Sequence, residues 1–161
     1  MKVPVEILEA RIPEDLELVR TLFREYAVGT GVDLCFQGFE EEMAALPGKY
    51  AKPRGRLLLA WRGDEALGCV ALRPIDEQDC EMKRLYVRPE ARGLQLGRLL
   101  AERICAEGAN AGYQRILLDT LRTMTPALAL YRALGFEDVP PYIYNPLPEV
   151  VYLGLKLVIK P

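Results

Sequence analysis

The chain of 161 residues contains no histidine. That absence removes Ser–His and Cys–His nucleophile pairing. A general base must then be Glu, Asp, Tyr, Lys, Cys or water. The cysteines Cys35, Cys69, Cys80 and Cys105 are widely spaced and form no C-x-x-C. With histidine missing as well, no metal site is expected, and the four thiols read as reduced and mostly buried. No apolar run approaches the ~20 residues needed to span a bilayer. The opening Met-Lys-Val-Pro-Val-Glu is not a secretory signal. A cytoplasmic location with no membrane partner follows by default. The net charge of −2, without a basic and aromatic surface motif, disfavours nucleic acid as a partner. There is no internal repeat and no low-complexity segment. Half of the residues are apolar, and the length suits one domain spanning 1–161 with a core of its own.

What the chain does have is a concentrated basic stretch. Between Lys83 and Arg103 stand six basic residues and two acidic ones, a net of +4. Inside it, Leu85-Tyr-Val-Arg-Pro-Glu-Ala-Arg-Gly-Leu-Gln-Leu-Gly-Arg-Leu-Leu100 reads as a strand end, a turn and a helix start. Pro89 cannot donate to a sheet ladder and restricts Arg88, so the strand stops there. Gly93 and Gly97 allow a tight turn and close approach to the backbone. Leu96, Leu99, Leu100 and Ile104 then adopt a helical spacing. Such a turn presents unpartnered N–H groups at the positive end of a helix, which suits a polyanion such as a pyrophosphate. The G-x-G-x-x-G and P-loop patterns are both absent.

The remaining elements fall on either side of this stretch. Val5–Glu9 is a strand candidate. Pro13-Glu14-Asp15 starts a helix whose Leu16, Val19, Phe23, Tyr26 and Ala27 share a face, ending near Gly29–Gly31. A short helix follows over Phe39–Ala45. Arg56–Trp61, Ala66–Arg73 and Cys80–Val87 are strands joined by turns. The helix from Leu96 runs to Ala109. Arg115–Thr120 is a short apolar strand, and Thr125 caps a helix with Pro126 at its first position. Val150–Val158 is the last strand. A strand meander followed by alternating strands and helices predicts an α/β chain with a mixed sheet.

Two blocks carry a resemblance. Arg92-Gly-Leu-Gln-Leu-Gly97 resembles the acyl-CoA pyrophosphate loop of the GNAT superfamily of N-acyltransferases, with Gln95 where the middle glycine usually stands. Ala127-Leu-Ala-Leu-Tyr-Arg-Ala-Leu-Gly-Phe136 is similar to the family's helix signature. The two occur in the family's order and spacing, over roughly the second half of the chain. The resemblance implies a three-layer α+β sandwich: a mixed, mostly antiparallel sheet of six or seven strands flanked by helices, with a splayed parallel pair at the cofactor site. It implies an N-acetyltransferase that carries the acyl group from acetyl-CoA directly to a small primary amine, without a metal. A homodimer stays open. A non-catalytic acyl-CoA-binding module and an acetyltransferase for protein Lys or N-termini are the alternatives.

The same resemblance assigns residues. Leu85, Tyr86 and Val87 would pair with pantetheine, with Thr120 on the neighbouring strand. Val87 would supply an oxyanion N–H. Arg92, Gly93, Leu94, Gln95, Leu96, Gly97 and Arg98 would wrap the pyrophosphate by main chain, which tolerates Gln95 if its φ is negative. Tyr131 is the candidate acid for the leaving thiolate, against a role as a core tyrosine. Glu81 is the candidate base, against simple pairing with Lys83. Strand alternation would put Glu81, Lys83, Leu85 and Val87 on one face. Met124 replaces an asparagine common in the family. Tyr26, Phe36, Gln37, Tyr144 and Asn145 are candidate acceptor contacts, and ordinary packing explains the aromatics among them equally well. The acidic first third, with five basic and ten acidic residues up to Tyr50, suits a cationic acceptor or a solvated surface.

Overall fold

A computed structural model describes residues 3–31 and 38–158. Seven strands form one sheet in the order β1-β2-β3-β4-β5-β7-β6. They are β1 (Val5–Glu9), β2 (Arg56–Arg62), β3 (Glu65–Pro74), β4 (Asp79–Val87), β5 (Arg115–Leu121), β6 (Glu137–Asp138) and β7 (Val150–Lys156). All neighbours are antiparallel except β4 and β5. The helices are α1 (Leu16–Thr30), α2 (Phe39–Ala45), α3 (Leu96–Asn110) and α4 (Thr125–Ala133).

Alternation along the strands divides the core into two layers. Leu57, Leu59, Cys69 and Ala71 face α1 and α2, where they meet Val19, Leu22, Phe23, Phe39 and Met43. Leu58, Val70, Leu72, Cys80 and Met82 face α3 and α4, where they meet Leu96, Leu100, Ile104 and Tyr131. Each large side chain removed from water on either face stabilises the fold by about 1.5–3 kcal/mol. Tyr113, fully buried, donates its hydroxyl to the Arg54 carbonyl at 2.7 Å and so satisfies its one polar atom.

Two irregularities position the site. The first is the parallel pairing of β4 with β5. It covers Asp79–Arg115, Cys80–Ile116 and Glu81–Leu117, then ends while both strands continue. From Met82 onward β4 keeps its ladder with β3 on one edge and has no ladder partner on the other. The second is a bulge in β4. The register with β3 passes from Lys83 opposite Ala71 to Tyr86 opposite Cys69, so β4 carries one extra residue. Arg84 absorbs it, with φ of +62°.

The bulge corrects the expected alternation. Glu81, Lys83, Leu85 and Val87 do not share a face. Leu85 and Val87 pack with the α3 and α4 layer, whereas Tyr86 packs with the α1 and α2 layer. Strict period two fails because the inserted residue flips every side chain after it. Two smaller corrections concern ends. Met124, not Thr125, occupies the cap position of α4 and makes no side-chain cap bond. The last strand stops at Lys156 rather than Val158. The two-residue β6 was too short to show a period in the sequence.

Candidate active site

The splay of β4 from β5 opens a cavity of about 450 Å³. Its walls come from the bulged part of β4 (Met82 to Tyr86), the end of β5 (Leu118 to Leu121), the start of α4 and the end of α1. A β-strand edge without a partner offers unpaired N–H and C=O groups. Here that edge faces the cavity, so an extended chain carrying amides can take the place of the missing strand pairing.

At one end lies the loop into α3. The first main-chain bond of that helix runs from the Leu99 N–H to the Gln95 carbonyl. Among the described residues, the N–H groups from Gly93 to Arg98 have no main-chain acceptor. They gather at the positive end of a helix of 15 residues. Gly93 has φ of +91°, a conformation open to glycine. A Cβ on Gly97 would sit 3.8 Å from Leu130 and 3.9 Å from Val87, so α3 packs close to the end of β4. Gln95 has φ of +56° and ψ of +26°. The negative φ that would make this residue comfortable is therefore not what the loop adopts. A left-handed residue other than glycine costs about 1–2 kcal/mol, so the loop holds local strain where its N–H groups converge.

At the other side of the cavity stands Tyr131 on α4. It is 8% exposed, its ring lies 5.7 Å from that of Phe136, and it lines the cavity. Burial pushes the pKa of its phenol up, which keeps it protonated as a donor must be. Thr120 and Met124 line the same wall, the Thr120 hydroxyl approaching the Met124 sulfur at 3.5 Å. Leu85, Tyr86 and Arg92 line it as well.

The charged wall differs from the sequence expectation. Glu81 is 1% exposed and does not reach the cavity lining. Its Oε1 accepts from Arg73 Nε at 2.8 Å and its Oε2 accepts from the Tyr142 hydroxyl at 2.6 Å. Arg73 is thus an ion-pair partner of Glu81. The carboxylate that does line the cavity is Asp119, whose Oδ2 accepts from Asn145 Nδ2 at 3.0 Å. Lys83 lines it too; desolvation, above all, brings its pKa down to about 8. Arg84 is held by Glu42, with Nε and Nη2 donating at 3.2 and 3.3 Å, and its guanidinium lies 5.5 Å from the Tyr26 ring and 5.2 Å from the Phe39 ring.

Of the candidate acceptor contacts, Tyr26 and Asn145 line the cavity. Tyr144 is 79% exposed and does not. Phe36 and Gln37 lie outside the described residues. Sequence reasoning missed Asp119, Arg84 and the bond from Tyr142 to Glu81. A buried-strand pattern that ends in an aspartate (Ile116-Leu-Leu-Asp119) was the available signal for the first of them. No local signal marked the others.

A mixed sheet with one splayed parallel pair, an N–H cradle at a helix start and a tyrosine on the next helix define the GNAT class of transferases. The chain belongs to the acetyltransferase (GNAT) family, whose profile matches residues 17–136. It is 45% identical over 157 residues to an uncharacterised N-acetyltransferase of Schizosaccharomyces pombe, covering 95% of each chain. In fold it is similar to an acetyltransferase from Streptococcus agalactiae, with a TM-score of 0.77, 21% identity and coverage of 95% of this chain and 98% of that one. It is also similar to yncA from Salmonella typhimurium, a structure that holds acetyl-CoA, with a TM-score of 0.70, 18% identity and coverage of 96% and 94%.

Proposed function

We propose that this chain transfers an acetyl group from acetyl-CoA to the amine of a small molecule by direct attack within a ternary complex. The observation that carries the reading is the gap between β4 and β5. Arg92, next to the unbonded N–H groups of Gly93–Arg98, lines it on one side and Tyr131 lines it on another. These residues fit coenzyme A: the N–H cradle suits a diphosphate, and the free edge of β4 suits the amides of pantetheine.

The thioester, when bound, supplies an activated acyl carbonyl and a thiolate leaving group. The protein then has three tasks. It orients the two reactants, which requires the β4 edge and the loop to hold one of them in line. It offers a main-chain N–H, that of Val87, to the oxygen on which charge develops. It moves two protons. Tyr131 gives one to the leaving sulfur; a thiol pKa of ~8.5 makes that transfer modest in cost. Asp119 lies on the cavity wall, attracts the ammonium form of the acceptor and receives its proton. Glu81 sits behind the wall and holds Tyr142 and Arg73 in place, a positioning role for the residue first considered as base. A cationic amine is the acceptor favoured by Asp119. The bond from Asn145 keeps one of its oxygens fixed and leaves its position defined.

Calorimetry and thermal shift with acetyl-CoA, followed by thiol release across a panel of small amines, test the reading. Binding together with turnover of at least one amine is expected. Absence of both heat and thermal shift on folded protein refutes it. Binding without turnover on any amine would point to a non-catalytic binding module, and acetylation confined to protein lysines or N-termini would move the acceptor class.

A further inference from the structure

We infer that Lys83 is itself an acetyl acceptor: with acetyl-CoA bound and the acceptor end of the cavity vacant, the chain acetylates its own Lys83 side chain. The inference rests on the donor reading above.

Among the described lysines, Lys49, Lys52 and Lys156 are exposed, whereas Lys83 is 7% exposed and lines the cavity. It stands on β4 two residues before Leu85, about 7 Å along the strand. The free edge that begins at Met82 therefore runs past it. The bulge at Arg84 puts Lys83 and Leu85 on opposite faces of the sheet. Lys83 consequently approaches the gap from the α1 and α2 side, the side on which Tyr26 and the end of α1 close the cavity. The cavity that would hold the donor thus carries this amine in its own wall.

An amine attacks only when neutral. Burial lowers the pKa of Lys83 to about 8, a shift that Arg84 on its own strand and Arg73 on β3 reinforce and Glu81 and Asp119 oppose. A substantial neutral fraction follows near that pH, where an exposed lysine stays almost wholly protonated. In the step, the Lys83 nitrogen forms a bond to the thioester carbonyl carbon and the C–S bond breaks. The proton lost by nitrogen goes to Asp119 or solvent, and the thiolate leaves to be protonated. No oxidant or further reactant is needed. The product is a stable amide, so this is an end point rather than a relay to the acceptor. It removes a positive charge from the cavity wall.

The test is intact chain incubated with acetyl-CoA and no added amine, then proteolysis and mass spectrometry, with sulfo-NHS-acetate as a soluble comparison reagent. Chemical labelling from solution follows exposure, so sulfo-NHS-acetate should modify Lys49, Lys52 and Lys156 ahead of Lys83. Acetyl-CoA should reverse the order, with Lys83 at least about tenfold ahead because its amine is held beside the donor. Lys83→Arg should keep the thermal shift with acetyl-CoA and lose the preferential label. The inference is overturned if acetyl-CoA gives a clear thermal shift yet Lys83 stays unmodified or is labelled in the exposure order. No thermal shift at all would overturn the donor reading, and this one with it.

Discussion

Glu42→Gln should be among the most damaging isosteric substitutions in the chain. Glu42 holds Arg84, whose side chain is 1% exposed, with nitrogen–oxygen separations of 3.2 and 3.3 Å. The change keeps the volume, and the new amide oxygen can still accept from the Tyr50 hydroxyl, now 2.8 Å from the carboxylate. What disappears is one charge. At 3.3 Å the pair is worth about 5 kcal/mol with an effective dielectric near 20. Removing one partner of a buried ion pair costs about 3–5 kcal/mol by experience with such pairs, so the two routes agree. For a chain of this size that corresponds to a melting temperature lower by roughly 6–20 °C. Calorimetry or circular dichroism would read the shift, and urea titration should show a lower midpoint with unchanged slope. Replacing both partners, Glu42→Leu with Arg84→Met, should recover the charge part of the loss, since a buried cation no longer lacks its carboxylate, but not the part due to the Tyr50 hydroxyl losing Glu42 as acceptor. A Glu42→Gln loss below about 1 kcal/mol, or a double variant as unstable as the sum of the singles, would refute the account of Arg84 as a buried cation fixed at the bulge by Glu42.

Tyr131→Phe should lower kcat by about a hundredfold with little change in the KM for acetyl-CoA, because only proton donation is removed; equal activity at all pH values would exclude Tyr131 as the acid. Gly68→Ala should destabilise by about 1–3 kcal/mol and weaken acetyl-CoA binding, since its Cβ would stand 2.4 Å from the Tyr86 carbonyl on the strand that borders the gap; thermal shift with and without acetyl-CoA reads both effects. Lys83→Met should stabilise the fold at pH 7. Lys83 has a folded pKa of about 8 against an ordinary 10.5, so the unfolded chain binds more protons between those values and stability rises with pH through that window. The advantage of the methionine variant in urea should therefore shrink from pH 7 to pH 10, and a constant difference would show that Lys83 is not desolvated. Gln95→Gly should leave stability unchanged or raise it by up to about 1 kcal/mol, relief of the positive φ outweighing the entropy of glycine, as urea melts would measure.

The sequence by itself determined most of the elements and the unpartnered N–H groups at the start of α3. Helical spacing from Leu96, the stop at Pro89 and the glycines at 93 and 97 are local features. Local physics places the start of α3 and its unpartnered N–H groups without reference to the rest of the chain. The A-x-x-L-Y block likewise located Tyr131 on a helix, where it lies. Tertiary structure alone decided which charges meet at the cavity. The place of Glu81 on the strand offers it as base, with Lys83 as the alternative partner, yet Arg73 from β3 and Tyr142 from a distant loop bond to its two oxygens. Asp119 and Asn145 are brought together across 26 positions. The bulge at Arg84 is the clearest case. An extra residue in β4 leaves no mark in composition or period, because it exists only relative to the register of β3. Yet it sets which side chains of β4 face α1 and which face α3, and so from which side each lines the cavity.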